Sequence, residues 1–215
     1  VAFIGSTGSG KSTLVNLIPR FFDVSEGSIC IDGVDIRDMD IKDLRSRLGY
    51  VPQKGVLFSG TIKSNLRFGA GEASMEELNK AADIAQASEF IAAKDDGMQS
   101  PIAQGGTNVS GGQKQRLSIA RAVAKRPEIY IFDDSFSALD YKTDAALRQA
   151  LKKETSEATT LIVAQRISTI LHADKIMVLD NGNVVGSGTH KELLESCEVY
   201  QQIAKSQLSK EELEA

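Results

Sequence analysis

Tryptophan is absent from this 215-residue sequence, which holds only two cysteines, two histidines and four prolines. Cys30 and Cys197 lie far apart, with no second pair and no histidine cluster. They read as free thiols of a reducing compartment, not as a disulfide framework or a metal site. Long apolar runs are missing as well: the longest are four residues, at 1–4, 90–93, 129–132, 161–164 and 176–179. A membrane-spanning helix needs about 20. Positive charge is not in excess, since 25 Lys and Arg stand against 29 Asp and Glu for a net charge of −4. That balance argues against a general nucleic-acid binder, which works by neutralising phosphates. No secretory or transit pattern is recognisable at the start. The sequence begins without Met, inside an apolar run, and is expected to be an excerpt of a longer protein lacking the strands that come before it. What is present, 41% hydrophobic and 25% charged residues, suffices for one good core with a small lobe attached.

Short β-rich apolar runs at 1–5, 48–52, 129–133, 159–164 and 175–179 alternate with helical patterns at 11–18, 74–87, 112–124 and 143–153. Such alternation predicts βαβ units, an α/β fold, and a mostly parallel sheet covered on both faces. Asp32-Gly33 and Asn181-Gly182 predict local hairpins, pairing 28–32 with 34–36 and 176–180 with 183–187, a small antiparallel portion. Residues 61–100 carry helical patterns and no strand. They are expected to form a helical lobe inserted into the α/β core, reaching to about residue 125 with the helix that follows. The tail from Ser206, with Lys210, Glu211 and Glu212, reads as a fraying helix end.

The residues Gly5-Ser6-Thr7-Gly8-Ser9-Gly10-Lys11-Ser12-Thr13 match the phosphate-loop pattern, with a strand before and a helix after. Glycines let backbone N–H groups converge on phosphate oxygens, and the helix N-terminus adds partial positive charge. Lys11 is placed to reach the β- and γ-phosphates and the Ser12 hydroxyl to ligate Mg²⁺. This predicts a nucleoside triphosphate site. A second run, Ile129-Tyr130-Ile131-Phe132-Asp133-Asp134, is a buried strand ending in two acids, and buried strands seldom end so unless a cation or solvent sits there. Asp133 suits a Mg²⁺ contact, and Asp134 suits the attacking water. A third run, Val109-Ser110-Gly111-Gly112-Gln113, opens a helix with small residues. It reads either as a second anion-binding cap or as an ordinary Ser N-cap.

In this order the motifs resemble the nucleotide-binding domain of ATP-binding cassette (ABC) transporters over essentially the whole of residues 1–215. The resemblance makes Gly5 to Thr13 the Walker A loop, Val51-Pro52-Gln53 the Q-loop, and Val109 to Gln113 the signature. Ile129 to Asp133 becomes Walker B and Ser137-Ala138-Leu139-Asp140 the D-loop. It implies a P-loop NTPase core that binds ATP with Mg²⁺, the metal organised by Ser12, Gln53 and Asp133. It also implies head-to-tail pairing with a second such domain. ATP would then lie between one domain's phosphate loop and the other's Ser110, Gly111, Gly112 and Gln113, with Asp140 nearby. The stretches Phe21-Phe22-Asp23, 31–36, Leu57 to Ile62 with Asn65-Leu66, and Gly188 to Leu194 resemble the exporter branch. There the ATPase follows a transmembrane domain in the same polypeptide and sits at the cytoplasmic face of the membrane. The segment 102–106 resembles the exporter coupling loop, with Gln104 where an acid is usual. The aromatic that stacks on adenine in this family would precede Val1, and no nucleic-acid partner is implied.

Two departures from the exporter pattern stand out. Asp134 occupies the place of the catalytic Glu, and Gln165 that of the switch His, in Val163-Ala164-Gln165-Arg166-Ile167-Ser168-Thr169. Asp is one methylene shorter, a retreat of roughly 1 Å that can cost on the order of 100-fold in rate. Gln can hydrogen-bond a γ-phosphate but carries no proton or charge as imidazole does. The paired departures resemble the degenerate half of a heterodimeric exporter, one that binds ATP, turns it over slowly, and completes its partner's competent site. A homodimeric, hydrolytically competent exporter and a soluble ABC ATPase without a transporter remain as alternatives. His172 and His190 read as surface or turn residues.

Overall fold

The computed structural model describes residues 1–209. Along the chain these form β1 (Ala2–Gly5), α1 (Lys11–Leu17), β2 (Cys30–Ile31), β3 (Val34–Asp35), α2 (Ile41–Ser46), β4 (Leu48–Val51), β5 (Gly60–Thr61) and α3 (Ile62–Arg67). Next come α4 (Met75–Ile84), α5 (Ser88–Ala92), β6 (Pro101–Ile102), α6 (Gly111–Ala124), β7 (Ile129–Asp133) and α7 (Tyr141–Glu154). The chain continues with β8 (Thr159–Val163), β9 (Ile176–Asp180), β10 (Asn183–Gly188), α8 (His190–Ser196) and α9 (Glu198–Gln207). The fold is α/β with mostly parallel strands and small antiparallel additions, as the alternating pattern predicts. Lys210, Glu211 and Glu212 lie outside the described residues.

Two compact units divide the chain: residues 1–44 with 160–215, and residues 45–159. In the first, β1 lies parallel between β8 and β9, with Ala2 opposite both Ile162 and Ile176. Ala2, Phe3 and Ile4 are buried in succession; since neighbouring residues of a strand face opposite ways, both faces of β1 are covered, which is why it reads as an unbroken apolar run. The hairpin at Asn181-Gly182 adds β10 antiparallel to β9, its register shifting between Val184 and Gly186, and the Asp32-Gly33 hairpin pairs β2 with β3. Ala2, Ile4, Ile167, Ile170, Ile176 and Val178 form a core closed by Leu193, Cys197, Tyr200 and Ala204 of the C-terminal helical segment. Both Cys30 and Cys197 are free thiols.

In the second unit β4 runs parallel to β7, Leu48 opposite Ile129 and Val51 opposite Phe132. A two-residue bridge joins β5 to β6. The helices start where the sequence supplies reciprocal caps. Thr61 with Ser64 opens α3, Ser74 with Glu77 opens α4, and Ser110 with Gln113 opens α6; each pair satisfies two backbone donors that a helix start would otherwise leave bare.

One predicted helix is corrected. Residues 74–87 do not form a single helix: α4 ends at Ile84 and α5 begins at Ser88. Gln86 sits in the left-handed region at φ 56. There its N–H bonds Asp83 O at 2.9 Å, while Ala87 N–H reaches back to Ala82 O at 2.7 Å. This is the Schellman ending, for which Gly is the usual signal. With Gln in that place, the sequence carries no mark of the break.

Candidate functional site

In the first unit, β1 delivers the chain into a loop tucked against β9. A Cβ on Gly5 would lie 2.1 Å from Leu179 O, so no other residue fits there. Ser9 N–H closes on Ser6 O at 3.2 Å, and Gly182 N–H of the β9–β10 turn donates to Ser9 O at 3.2 Å. Gly10, at φ 96, caps α1 from the left-handed region without a side-chain bond. Inside the loop, Lys11 Nζ donates to Gly5 O at 2.8 Å, Ser6 O at 2.8 Å and Ser9 Oγ at 3.2 Å. Lys11 and Ser9 are buried, while Ser6, Thr7, Gly8, Ser12 and Thr13 are exposed along the outer rim. The loop therefore wraps its own ammonium and keeps an open polar face, the arrangement that suits an anion with several oxygens.

Gln165 is exposed on the turn that follows β8. That turn is fixed at both ends: Ala164 N–H bonds Phe3 O of β1 at 3.0 Å, and Gln207 of α9 bonds the backbone of Gln165 and Ile167. Neither histidine occupies this turn. His190 is a correction to the surface reading: it is half-buried, and its Nδ1 lies 2.7 Å from the Tyr200 hydroxyl.

In the second unit, β7 ends with Asp133, buried at 4% exposure, and is followed by Asp134, at 8%. Tyr50 Oη lies 3.5 Å from Asp133 Oδ2. Burial first, and then the negative charge of Asp133, push the Tyr50 hydroxyl up to about 12, so it remains a donor. Asp134 takes a left-handed backbone at φ 47, a conformation Asp tolerates better than most side chains. Its Oδ2 accepts from Gln53 Nε2 at 3.1 Å, so the structure brings together two of the residues singled out from the sequence. The carbonyl of Asp134 accepts from Ser137 Oγ at 3.0 Å.

Gln115 is a residue that sequence reasoning missed. Its side chain, 2% exposed, accepts from Gly55 N–H at 2.9 Å and donates to Pro52 O at 3.2 Å. It thereby brackets Gln53 from the fifth residue of α6. Its only trace in sequence is a polar residue on a helix face that otherwise buries Leu117, Ile119, Ala120 and Val123.

At the head of that helix, Ser110 Oγ accepts from Gln113 N–H at 3.2 Å, and Gln113 Oε1 accepts from Ser110 N–H at 3.1 Å. The Ser N-cap is thus an ordinary capping box, and of the two glycines Gly111 is the open one: a Cβ there would meet nothing within 4 Å, whereas one on Gly112 would lie 3.5 Å from Ala138 O. Asp140 caps α7, accepting from Thr143 N–H at 2.9 Å. Hydrogen bonds from Thr143 hold its carboxyl below the usual range, with a smaller contribution from the Arg116 charge. Desolvation lowers Arg116, which stacks over Phe90 and donates to Gln86 O at 2.6 Å. A cation held this way ties α6 to the α4–α5 junction.

Among the described residues no cluster of three or more His, Cys, Asp or Glu could hold a metal. Mg²⁺ takes hard oxygen donors, keeping several waters and one or two protein oxygens alongside phosphate oxygens. Ser12, Gln53 and Asp133 supply oxygen donors of that hard kind.

A glycine loop running from a parallel strand into a helix around a buried lysine, with an apolar strand ending in acids, defines the P-loop NTPase class. Residues 1–137 match the family model described as ABC transporter. An uncharacterized ABC transporter ATP-binding protein of Mycobacterium bovis is 50% identical over 209 residues, covering 96% of this chain and 36% of its own length. One of Bacillus subtilis is 46% identical over 211 residues, covering 98% and 36%. The solved structure of a bacterial Atm1-family ABC exporter with ATP bound superposes at a TM-score of 0.92 with 39% identity, covering 97% of this chain and 37% of that one. The chain belongs to the ABC transporter family, and it spans about a third of the length of these relatives. No described helix is long and apolar enough to cross a membrane.

Proposed function

We infer that this chain is the ATP-binding motor of an ABC exporter. It pairs head-to-tail with a second, non-identical nucleotide-binding domain and couples to a transmembrane domain of the same polypeptide at the cytoplasmic face of the membrane. The buried Lys11 inside an open glycine loop carries the nucleotide assignment, and the likeness to an exporter solved with ATP bound supports it. Gly5, Ser6, Thr7, Gly8, Ser9, Gly10, Lys11, Ser12 and Thr13 hold the phosphates. Ser12, Asp133 and Gln53 hold Mg²⁺, which when bound offsets the charge that builds on the transferred phosphoryl oxygens. Ser110, Gly111, Gly112, Gln113 and Asp140 serve the partner's nucleotide, and the open surface at Gly111 favours that role.

At its own site the chain retains ATP and hydrolyses it slowly. Asp134 is short, and its carboxylate is engaged by Gln53. Gln165 offers a hydrogen bond to a γ-phosphate but no proton. Because phosphoryl transfer depends on positioning and electrostatics, such groups leave binding nearly intact while slowing the chemical step. In a steady-state ATPase assay of the isolated chain, turnover is expected to be very slow. Replacing Asp134→Glu together with Gln165→His should raise it by about 10- to 100-fold. Brisk turnover that the double change does not improve would instead indicate a competent homodimer.

A further inference from the structure

Gln207, the last residue of α9, places both ends of its carboxamide on the turn that bears Gln165. Its Oε1 accepts from Ile167 N–H at 2.8 Å, and its Nε2 donates to Gln165 O at 2.8 Å. The two bonds straddle Arg166 and lock the backbone on either side of it. The clamp itself sits on a rigid support. Tyr200 and Ala204 of α9 are fully buried in the same core as Ile167 and Ile170 of the turn, and Leu208 N–H closes the helix end on Ala204 O at 2.8 Å. On the other side, Ala164 N–H is bonded to Phe3 O of β1, two residues ahead of the glycine loop. The stretch carrying Gln165 is thus held between the strand that feeds the phosphate loop and the C-terminal helix.

We propose that Gln207 is a positioning residue for ATP hydrolysis. By fixing the peptide groups around Gln165, it sets the direction in which that side chain leaves the backbone, and so its reach toward a γ-phosphate. The proposal rests on the reading of Gln165 as the switch-position residue. It concerns the chemical step alone, since Gln207 bonds only to backbone of this turn and not to the phosphate loop. A carboxamide accepts at its oxygen and donates at its nitrogen, so this one side chain bonds both peptides at once. Methionine keeps the length of the stem and loses both bonds.

The test uses the whole chain with Mg²⁺-ATP and compares the parent with Gln207→Met and Gln165→Ala. Single-turnover rates are read with protein in excess over labelled ATP, so that a slow parent rate is still measured. For Gln207→Met we expect the hydrolysis rate to fall about tenfold, since displacement of a reacting group by a fraction of an ångström suffices. ATP affinity should stay within about twofold and the thermal midpoint should be unchanged. Amide exchange at Ile167 should lose its protection. An unchanged rate would overturn the proposal, as would rate, affinity and thermal midpoint all declining together, which marks a merely structural contact. Retained protection at Ile167 would overturn it as well. If Gln165→Ala itself leaves the rate unchanged, the role of Gln165 fails first. If Gln165→Ala slows hydrolysis while Gln207→Met does not, only the role of Gln207 fails.

Discussion

Single residues decide whether the phosphate loop can form at all. Gly5 is there for space: a methyl group would press on the Leu179 carbonyl oxygen at 2.1 Å and on Ser9 Oγ at 2.7 Å. Backbone cannot step aside as a flexible side chain can, so Gly5→Ala should cost about 3 kcal/mol of stability and displace Ser9 from Lys11. Urea unfolding with a parallel nucleotide-binding titration measures both, and a variant of parental stability would show that the loop has slack. Lys11 presents the opposite case, a residue fixed by what it donates to. Its ammonium donates to two carbonyls and a hydroxyl of its own loop, which holds the loop in shape around a buried positive charge. The Gly and Lys positions are readable from spacing because each function admits one residue type. Gln115, Tyr50 and Gln207 are not readable that way, since amide and hydroxyl side chains serve many ordinary purposes and only the fold shows what they hold.

At the scale of elements, the parallel strands and the two hairpins agree with the sequence to within a residue or two. The continuous apolar run of β7 and the turn at Asn181-Gly182 leave little choice. The break between α4 and α5 was not legible, because Gln86 adopts the left-handed position that glycine would have advertised. Nor were the short pairs β5 and β6, two residues each, which are too brief for any period to register. Helix α6 shows how one element serves two ends. Its start presents Gly111 to the surface, and one turn on, Gln115 holds the bend around Gln53. Further along, Arg121 donates to Asn65 O and Oδ1 and to Val56 O beneath the exposed rings of Phe58 and Phe68. Burial lowers its guanidinium to about 10, still charged at neutral pH. Replacing Gln115→Leu preserves volume but strands the Gly55 N–H and the Pro52 carbonyl. A loss of about 1–3 kcal/mol is expected, read as a lowered urea midpoint; a change below about 0.5 kcal/mol would mean that water replaces both bonds.

The whole molecule should also respond to acid in two stages. Burial, and secondarily the charge of His172, lowers the pKa of His190 beneath its ordinary 6.5. A histidine depressed in the folded state favours its neutral form, so its contribution is complete above about 6.5 and is lost as pH falls from there through the folded value. A second stage comes from carboxylates. Asp35 is lowered to about 2 by hydrogen bonds from Arg37, and bonds from Ser74 and Thr189 lower Glu77 and Glu192. Their contribution is present above about 4 and disappears on further acidification. Urea midpoints measured from pH 8 to pH 3 should stay level to about 7, decline below 6.5 and fall again below 4. His190→Gln should remove the first decline alone; if it persists, another group is responsible.

The strand order of the first unit has a consequence for how the chain is made. β1 is translated before its neighbours β8 and β9, so Ala2 must wait for Ile162 and Ile176. At a synthesis rate of about 5–20 residues per second, roughly 10 to 35 seconds pass between the two. Throughout that interval an apolar strand with two open edges trails from the ribosome, while residues 45–159 can already collapse as a unit of their own. The phosphate loop is therefore translated well before the strands that frame it, and it takes shape only once they have arrived. A nascent chain of this kind should depend on chaperones that shield β1 until β8 and β9 arrive.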